Sequence, residues 1–375
     1  MIIFSKPQLE IKKLFNKEAK KKPTFPYKNS VYFNNGSEAF IAALKNINLK
    51  DNSKIALPAY ICKTLPDKLR SNNYVPYFYD VKKDLSIDFE RLHLFMQKNE
   101  IEVVLLVDFF GFYSQENILI SKLFKDKGYK VIIDRCHSSL SDRDIEDDLN
   151  NTDAIIFSLR KNFGSKDGGV LVGKPFKCEE QIGIYVDFKF YLIKIIEKII
   201  SSIGWPNIYS KSFNKTKVFL LSGLINFINN NKQEFNNIPN KKISSYLYNQ
   251  ITDKSSINEI SKKRIKNYKK FLKILNLRYL NILFTNLDNY TVPQVFIVID
   301  ETKTLSDFLN SKGIGSYKWP GDEIDEYVAM SPARFPNTIE MNDKIVCLPI
   351  HQSVKDAHVL KMINYINEWD KNLLK

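Results

Sequence analysis

Two residues suited to acid–base and nucleophilic chemistry directly follow apolar runs of the sequence. Asp134 ends the run KVIID, and Lys161 follows the run DAIIFSL within the segment FSLRKNFGSKDGG. The carboxyl ends of parallel strands meet at one edge of a sheet, where loops and helix N-termini form a crevice. A basic neighbour, Arg160, destabilises an ammonium at Lys161 and favours the free amine that attacks a carbonyl. The pattern predicts a nucleophilic lysine near a carboxylate.

A candidate anion-binding turn precedes these residues in the chain. The segment YFNNGSEAFIAALKNI places Gly36 and Ser37 at the start of an amphipathic stretch, with Ser37 as the expected helix cap. Backbone N–H groups and the helix dipole can hold a phosphate at such a start. A strand-ending Asp is more often a turn or cap, and a single Lys is nearly always solvated surface. Together, however, the three features are the parts of a coenzyme site.

The elements that would position these residues are short apolar strands separated by helix-length segments. Asp88 to Lys98 and Glu116 to Lys127 are such segments. Runs this apolar indicate a mainly parallel sheet that is covered on both faces, and therefore an α/β domain. The predicted strands are KIALP, VPYFYDV, EVVLLVDFF, KVIID, DAIIFSL and GVLVG.

The last third of the chain predicts a smaller α+β domain. An Asn-rich stretch, residues 226–240, is typical of a loop, and SSYLYNQITDKSSINEISKKRIKNYKKFLKIL predicts one long helix after it. We expect a large domain over residues 1–260 and a small one over 261–375. The small domain should contain the strand VPQVFIVID, a helix at Leu305 to Ser311, a strand at Lys344 to Leu348 and a helix at Val354 to Trp369.

The composition is that of an ordinary globular protein, with 44% hydrophobic and 26% charged residues among 375. Neither a signal peptide nor a spanning apolar run is recognisable, so a cytoplasmic location is expected. The four cysteines are too widely separated to indicate a metal site or a disulfide framework. The net charge of +14 is explained by a general lysine bias, and without a nucleic-acid-binding motif we expect no nucleic-acid partner.

Residues 181–204 form an amphipathic segment, with the sequence IGIYVDFKFYLIKIIEKIISSIG from residue 182 on. We expect helices here, and three interpretations of them are open. Lysines interrupt its apolar face, as in helices that lie on a membrane surface. A subunit interface and a core-facing helix pair are the commoner explanations.

The stretch from Val31 to Gly173 resembles the sugar aminotransferases of the DegT/DnrJ/EryC1/StrS family, within the fold type I pyridoxal-phosphate enzymes. The matching segments, in order, are NGSEAFIAAL, LPAYIC, VDFFGF, IIDRCHSS and FSLRKNFGSKDGG, with VCLPIHQSV near the other end. The resemblance implies a mainly parallel sheet in a large domain and a smaller α+β C-terminal domain.

The resemblance also implies roles for individual residues. Lys161 would hold pyridoxal 5′-phosphate as a Schiff base and move a proton, and Asp134 would pair with the ring nitrogen. His137 would lie near the ring oxygen or ring face, and Tyr60 would stack on the ring. Trp319 and His351 would face the substrate. The phosphate would be held by Gly36, Ser37, the backbone at Glu38 and Ser158, with Arg160 as a helper.

The implied function is transfer of an amino group, from glutamate, to a keto sugar carried on a nucleotide, in a homodimer that serves polysaccharide or related glycan biosynthesis. Two departures indicate a divergent branch. Ser158 precedes Lys161 by only three residues, a shorter spacing than in better-known members, and the family's Asn-Tyr-Arg segment is not recognisable after Gly173. The alternatives are another pyridoxal-phosphate reaction with a different amine acceptor, and a noncatalytic or membrane-surface protein that keeps the fold.

Overall fold

The computed structural model describes residues 3–8, 10, 30–141, 145–173, 183–185, 191, 242–275 and 279–373. Apart from 183–185 and 191, the amphipathic segment 181–204 lies outside the described residues, as does the Asn-rich stretch 226–240. Within the described ranges, no helix combines the length and the apolar character needed to cross a bilayer.

A seven-stranded sheet forms the larger layer of the protein. Its spatial order is β1-β7-β6-β5-β4-β2-β3, and β2 to β6 pair in parallel. Only β7 runs against its neighbours, β6 and β1. The predicted mainly parallel α/β sheet is therefore confirmed. The strands are β1 (Val31–Phe33), β2 (Lys54–Pro58), β3 (Val75–Tyr79), β4 (Val103–Val107), β5 (Lys130–Asp134), β6 (Ala154–Ser158) and β7 (Gly169–Gly173).

Three of the helices described on this sheet, α1, α3 and α4, begin at a side chain that caps them. The side chains of Asp88 and Ser114 each accept a hydrogen bond from a first-turn N–H, and both predicted helices that follow them are confirmed. The helices are α1 (Gly36–Asn46), α2 (Thr64–Arg70), α3 (Phe89–Lys98), α4 (Gln115–Asp126), α5 (Glu146–Asn150) and α6 (Arg160–Phe163).

The cap of α1 differs from the prediction. Asn35, not Ser37, is the N-cap, because its Oδ1 accepts a hydrogen bond from the backbone N–H of Glu38 at 3.0 Å. Ser37 is thus already inside the first turn of the helix. Both Asn and Ser are good caps, so residue type alone did not distinguish the two positions.

The second part of the chain contains a three-stranded antiparallel sheet in the order β10-β11-β12. The predicted single long helix is wrong: Asp253 separates two helices and caps the second one through a bond from the N–H of Ser256. The elements are β8 (Gly183–Tyr185), β9 (Lys242–Ser244), α7 (Ser245–Thr252), α8 (Lys254–Ile274), β10 (Leu280–Ile282), β11 (Val295–Asp300), α9 (Leu305–Ser311), α10 (Glu326–Ala329), α11 (Pro336–Lys344), β12 (Ile345–Pro349) and α12 (Asp356–Asn372).

Two hydrophobic clusters form the described core, and α8 contributes to both of them. The larger cluster covers the seven-stranded sheet and one face of the three-stranded sheet, and the smaller cluster covers the other face of the three-stranded sheet. The first half of α8 packs Ile257 and Ile260 into the larger cluster, and its second half packs Tyr268 and Phe271 into the smaller one. The predicted domain boundary near residue 260 stays a prediction.

The segment 317–324 connects the two sheets. Tyr317 forms a bridge with Cys347 of β12, and Ile324 forms one with Cys62, just after β2. The residues between these two bridges, including Trp319, are therefore held near the carboxyl edge of the larger sheet.

Candidate active site

Lys161 lies on a one-turn helix at the carboxyl end of β6. Gly164 ends α6 in the left-handed conformation, at a φ of 68° that favours glycine. The carbonyl of Asn162 accepts hydrogen bonds from Gln352 Nε2 at 2.9 Å and from Arg264 Nη2 at 3.2 Å. These two long-range contacts fix the turn that carries the lysine, and nothing in the sequence pattern pointed to either residue.

The amine of Lys161 lies in an environment that favours its neutral form. The side chain is half-buried, and desolvation lowers the pKa of the amine. Cys136 and Asp134 oppose this shift, whereas the charge of Arg160 adds to it. The sequence-based reason, a basic neighbour, is therefore present but secondary to burial. The Arg160 side chain itself is exposed.

Asp134 ends β5 and opens a turn that is locked by a buried charge network. Its Oδ1 accepts a hydrogen bond from the backbone N–H of Cys136 at 2.7 Å. Arg135, only 4% exposed in its side chain, contacts Asp108 Oδ2 at 2.9 Å and Asp148 Oδ2 at 2.8 Å. A buried guanidinium between two carboxylates has little freedom to move. The network thereby fixes the backbone on the C-terminal side of Asp134.

His137 is a buried, neutral ring beside Lys161. Burial, assisted by the charge of Lys161, holds its pKa well below the usual range. The backbone N–H of Phe110 donates to His137 Nδ1 at 3.1 Å, so the proton of the neutral ring is assigned to Nε2. The imidazole stacks on the Phe110 ring, with 5.5 Å between the ring centroids. It makes a T-shaped contact with the ring of Trp319, with 4.6 Å between the centroids.

The start of α1 lies against the ends of β5 and β6. A Cβ on Gly36 would come within 2.6 Å of Cys136 Sγ and 3.6 Å of Ser158 Cβ, so only glycine fits there. The hydroxyl of Ser158 is buried and has no hydrogen-bond partner among the residues that the structure describes. Because the Glu38 N–H is used by the Asn35 cap, the predicted phosphate contact through the Glu38 backbone is not available in this conformation.

Tyr60 and Trp319, predicted for different roles, lie in contact. Tyr60 is fully buried, and its hydroxyl donates to the carbonyl oxygen of Trp319. The ring that lies over the Lys161 amine belongs to Trp319, with Nζ 6.0 Å from the ring centroid. Rings of Phe109 and Phe110 complete this aromatic cluster.

The structure thus brings together Lys161 and most of the predicted residues, but it places His351 differently. His351 is buried, and its Nε2 lies 2.9 Å from the carbonyl oxygen of Phe4. Burial lowers the pKa of His351 to about 3, with smaller contributions from Arg264 and His358. Its described contact is therefore with the N-terminal segment, and its substrate role stays a prediction.

His351 gives a testable pH dependence of stability. Its folded pKa lies below the unfolded value of about 6.5, so its contribution to stability is present above that pH and is lost as the pH falls toward about 3. Glutamine at this position keeps an N–H donor for Phe4 but cannot titrate. We expect His351→Gln to flatten the decrease of Tm between about pH 6.5 and pH 4. Thermal unfolding across this range, with His93→Gln as the control, measures the effect, and parallel curves for parent and His351→Gln would contradict it.

Comparisons with known proteins found one matching family model and a group of solved structures with the same fold. The model of the DegT/DnrJ/EryC1/StrS aminotransferase family matches residues 13–187. No curated protein matches the chain in sequence.

Solved structures share the fold at low sequence identity. Helicobacter pylori PseC, an aminotransferase involved in the biosynthesis of pseudoaminic acid, is 14% identical with a TM-score of 0.65, over 99% of both chains. DesI, solved in the presence of its TDP-sugar product, is 14% identical with a TM-score of 0.66, over 97% of this chain and 92% of DesI. A DegT/DnrJ/EryC1/StrS aminotransferase from Brucella abortus is 14% identical with a TM-score of 0.62, over 91% of this chain and 86% of its own.

The residues at the sheet edge fit pyridoxal phosphate, the coenzyme of this family. A buried serine hydroxyl without a partner and a helix start without room for a Cβ suit a phosphate, and a half-buried amine suits an aldehyde. A carboxylate fixed beside them suits a protonated ring nitrogen. The chain is thus similar, over residues 13–187, to the aminotransferases of the DegT/DnrJ/EryC1/StrS family, and it shares the fold of solved members of that family.

Proposed function

We propose that this enzyme transfers an amino group from glutamate to a keto sugar carried on a nucleotide, in the biosynthesis of a cell-surface polysaccharide or related glycan. The observation that carries the proposal is the amine of Lys161, half-buried and with a lowered pKa, between the Asp134 turn and the unpartnered hydroxyl of Ser158. A lysine on the surface keeps its charged ammonium, because water solvates it strongly. Surroundings that lower the pKa of an amine are therefore typical of functional sites.

Lys161 has two tasks in this proposal. Its amine would hold the coenzyme through the aldehyde, and the lowered pKa assists this by raising the fraction of free amine. The same amine, when free, would accept a proton from the amino-bearing carbon of the donor and return a proton to the carbon that becomes aminated. Bound pyridoxal phosphate supplies the electron sink that makes this proton removable.

Asp134 and His137 would contact the coenzyme ring from the turn that the charge network fixes. Asp134 Oδ1 is held by the Cys136 N–H, and the carboxylate would keep a proton on the ring nitrogen through a charge-assisted hydrogen bond. His137, with its proton on Nε2, would donate to the ring oxygen. Because Arg135 holds this turn between two buried carboxylates, neither group has to be ordered when the coenzyme binds.

The phosphate would lie between the start of α1 and the end of β6. The first N–H groups of a helix, here those of Gly36 and Ser37, have no partner within the helix and point at its N-terminal end. Ser158 would add its hydroxyl. Arg160, which is exposed on α6, would act from the solvent side.

Ser158→Ala tests this phosphate contact. Removing a hydrogen bond to a charged group costs about 1.5–3 kcal/mol, so we expect the coenzyme Kd to rise about 10- to 100-fold. Titration of the coenzyme-free protein with pyridoxal phosphate, followed by absorbance, measures the Kd. Ser121→Ala is the matched control, because this serine is also buried but donates to the Asn117 carbonyl on α4. Equal affinity in Ser158→Ala and the parent would remove Ser158 from the site.

A nucleotide-linked acceptor is supported by the fold neighbours and by the charge of the chain. DesI was solved with a TDP-sugar product. The net charge of +14 favours the approach of an anionic pyrophosphate, although it does not select a sugar. Glutamate as donor, the homodimer and the cytoplasmic location stay predictions that accompany this proposal.

The proposed function is tested by incubating the coenzyme-loaded protein with ¹⁵N-labelled glutamate and a panel of nucleotide-linked keto sugars. Mass spectrometry should show ¹⁵N in an amino sugar nucleotide. The corresponding free keto sugars are the matched acceptors without the nucleotide. Transfer to the free sugars alone would exclude the nucleotide-linked class, and transfer only to 2-oxo acids would exclude a sugar acceptor.

A further inference from the structure

We infer that Trp319 is the aromatic residue that packs against the coenzyme ring at Lys161, the role that the sequence assigned to Tyr60. This inference rests on the proposed function of Lys161. It also moves Trp319 from the sugar-binding role expected from the sequence to the coenzyme itself.

The first argument is the position of the indole relative to the reactive amine. Lys161 Nζ lies 6.0 Å from the centroid of the Trp319 ring. A carbon bonded to Nζ lies about 1.3 to 1.5 Å from it, so a planar ring attached there would lie within reach of the indole. The imidazole of His137, whose edge meets Trp319 at 4.6 Å, borders the same space.

The second argument is that no face of the Tyr60 ring is accessible to a coenzyme ring. Its side chain is fully buried, its hydroxyl is bound to the Trp319 carbonyl, and its ring meets the indole edge-on at 5.3 Å. Cys62, two residues later, carries a small thiol 3.2 Å from Thr64 Oγ1. The LPAYIC segment therefore packs against the indole. The half-buried Trp319 provides the ring surface for the coenzyme.

The third argument is that the indole is held in place before any ligand binds. Its ring makes edge-to-face contacts with Phe110 at 5.4 Å and Phe109 at 6.0 Å. The flanking bridges of Tyr317 to Cys347 and of Ile324 to Cys62 fix the chain on both sides. A preorganised aromatic face loses little conformational entropy when it stacks on a ligand ring. It also attracts a ring that carries positive charge on its nitrogen.

Two variants of the full-length chain test the inference by coenzyme binding, without any turnover. We expect Trp319→Leu to weaken binding of pyridoxal phosphate to the coenzyme-free protein about tenfold, and Trp319→Phe to recover most of the affinity. The absorbance maximum of the bound coenzyme should shift in both variants, because the indole no longer contacts the ring. Trp369→Phe is the matched control, since this indole is buried on α12 and donates to Thr304 Oγ1 at 3.0 Å.

The outcomes separate this inference from the proposed function. If Trp319→Leu keeps the parent affinity and spectrum while the KM for the sugar rises, Trp319 contacts the substrate and the inference is wrong. Should Trp319→Leu not fold, the spectrum of Trp319→Phe decides, and an unshifted maximum overturns the inference. Borohydride labelling of the parent at Lys161 tests the proposed function alone. If Lys161 is labelled while the Trp319 variants keep the parent affinity and spectrum, the inference is wrong and the proposed function stands.

Discussion

Replacing Lys161 by alanine is expected to remove the covalent attachment of the coenzyme and to lower turnover by about 10⁴-fold. The variant loses both the nucleophile and the proton carrier, whereas the Arg264 and Gln352 contacts that fix the turn at residue 161 remain. The absorbance band of lysine-bound coenzyme should be missing. After borohydride treatment, peptide mapping should find the label on Lys161 in the parent and no corresponding label in the variant.

The matched control is Lys166→Ala, which removes a lysine five positions further along the same strand-to-strand connection. It should bind and label like the parent. A parent-like absorbance band in Lys161→Ala would show that another amine holds the coenzyme, and the assignment of the site would fail.

For Asp134→Asn we expect a decrease in turnover of about 10³-fold with coenzyme still bound. Asparagine keeps the size of the side chain and can still accept from the Cys136 N–H through its amide oxygen, so the turn should survive. It cannot, however, stabilise a proton on the ring nitrogen, and the electron sink is weakened. The signature is a near-parent coenzyme Kd combined with a low kcat.

Asp88→Asn is the control for this change, because Asp88 caps α3 and Asn is an equally good cap. It should leave both quantities unchanged. Parent-like kcat in Asp134→Asn would mean that this carboxylate does not face the ring nitrogen.

Much of the fold was predictable because its strands are continuous apolar runs. The six runs from KIALP to GVLVG became β2 to β7, since strands buried on both faces must be apolar throughout. The three-residue strands β1, β8, β9 and β10 were missed, because three residues are too few to show a period. The break at Asp253 was also missed, since the residues on either side have good helical periodicity and the cap is a single side chain.

The site was predictable only where its parts lie within motifs. Asp134 and Ser158 end β5 and β6, and His137 and Lys161 follow these strands within three residues, so strand prediction alone brought the four residues to one edge. The contacts made by Arg264 and Trp319 link residues 102 and 259 positions apart, and no local pattern encodes them. Cys136, whose thiol faces Gly36, could have been predicted as a site residue, because it lies between the motif residues Asp134 and His137.

The network of Asp108, Arg135 and Asp148 has a consequence for engineering this enzyme. Losing the guanidinium alone would leave two carboxylates without water or counter-charge, whereas exchanging all three groups for apolar ones of equal volume is often tolerated. One-at-a-time mutagenesis would therefore rank each of the three as indispensable. Libraries that vary these three residues jointly can reach sequences that stepwise selection cannot, so joint variation is the way to redesign the turn after Asp134.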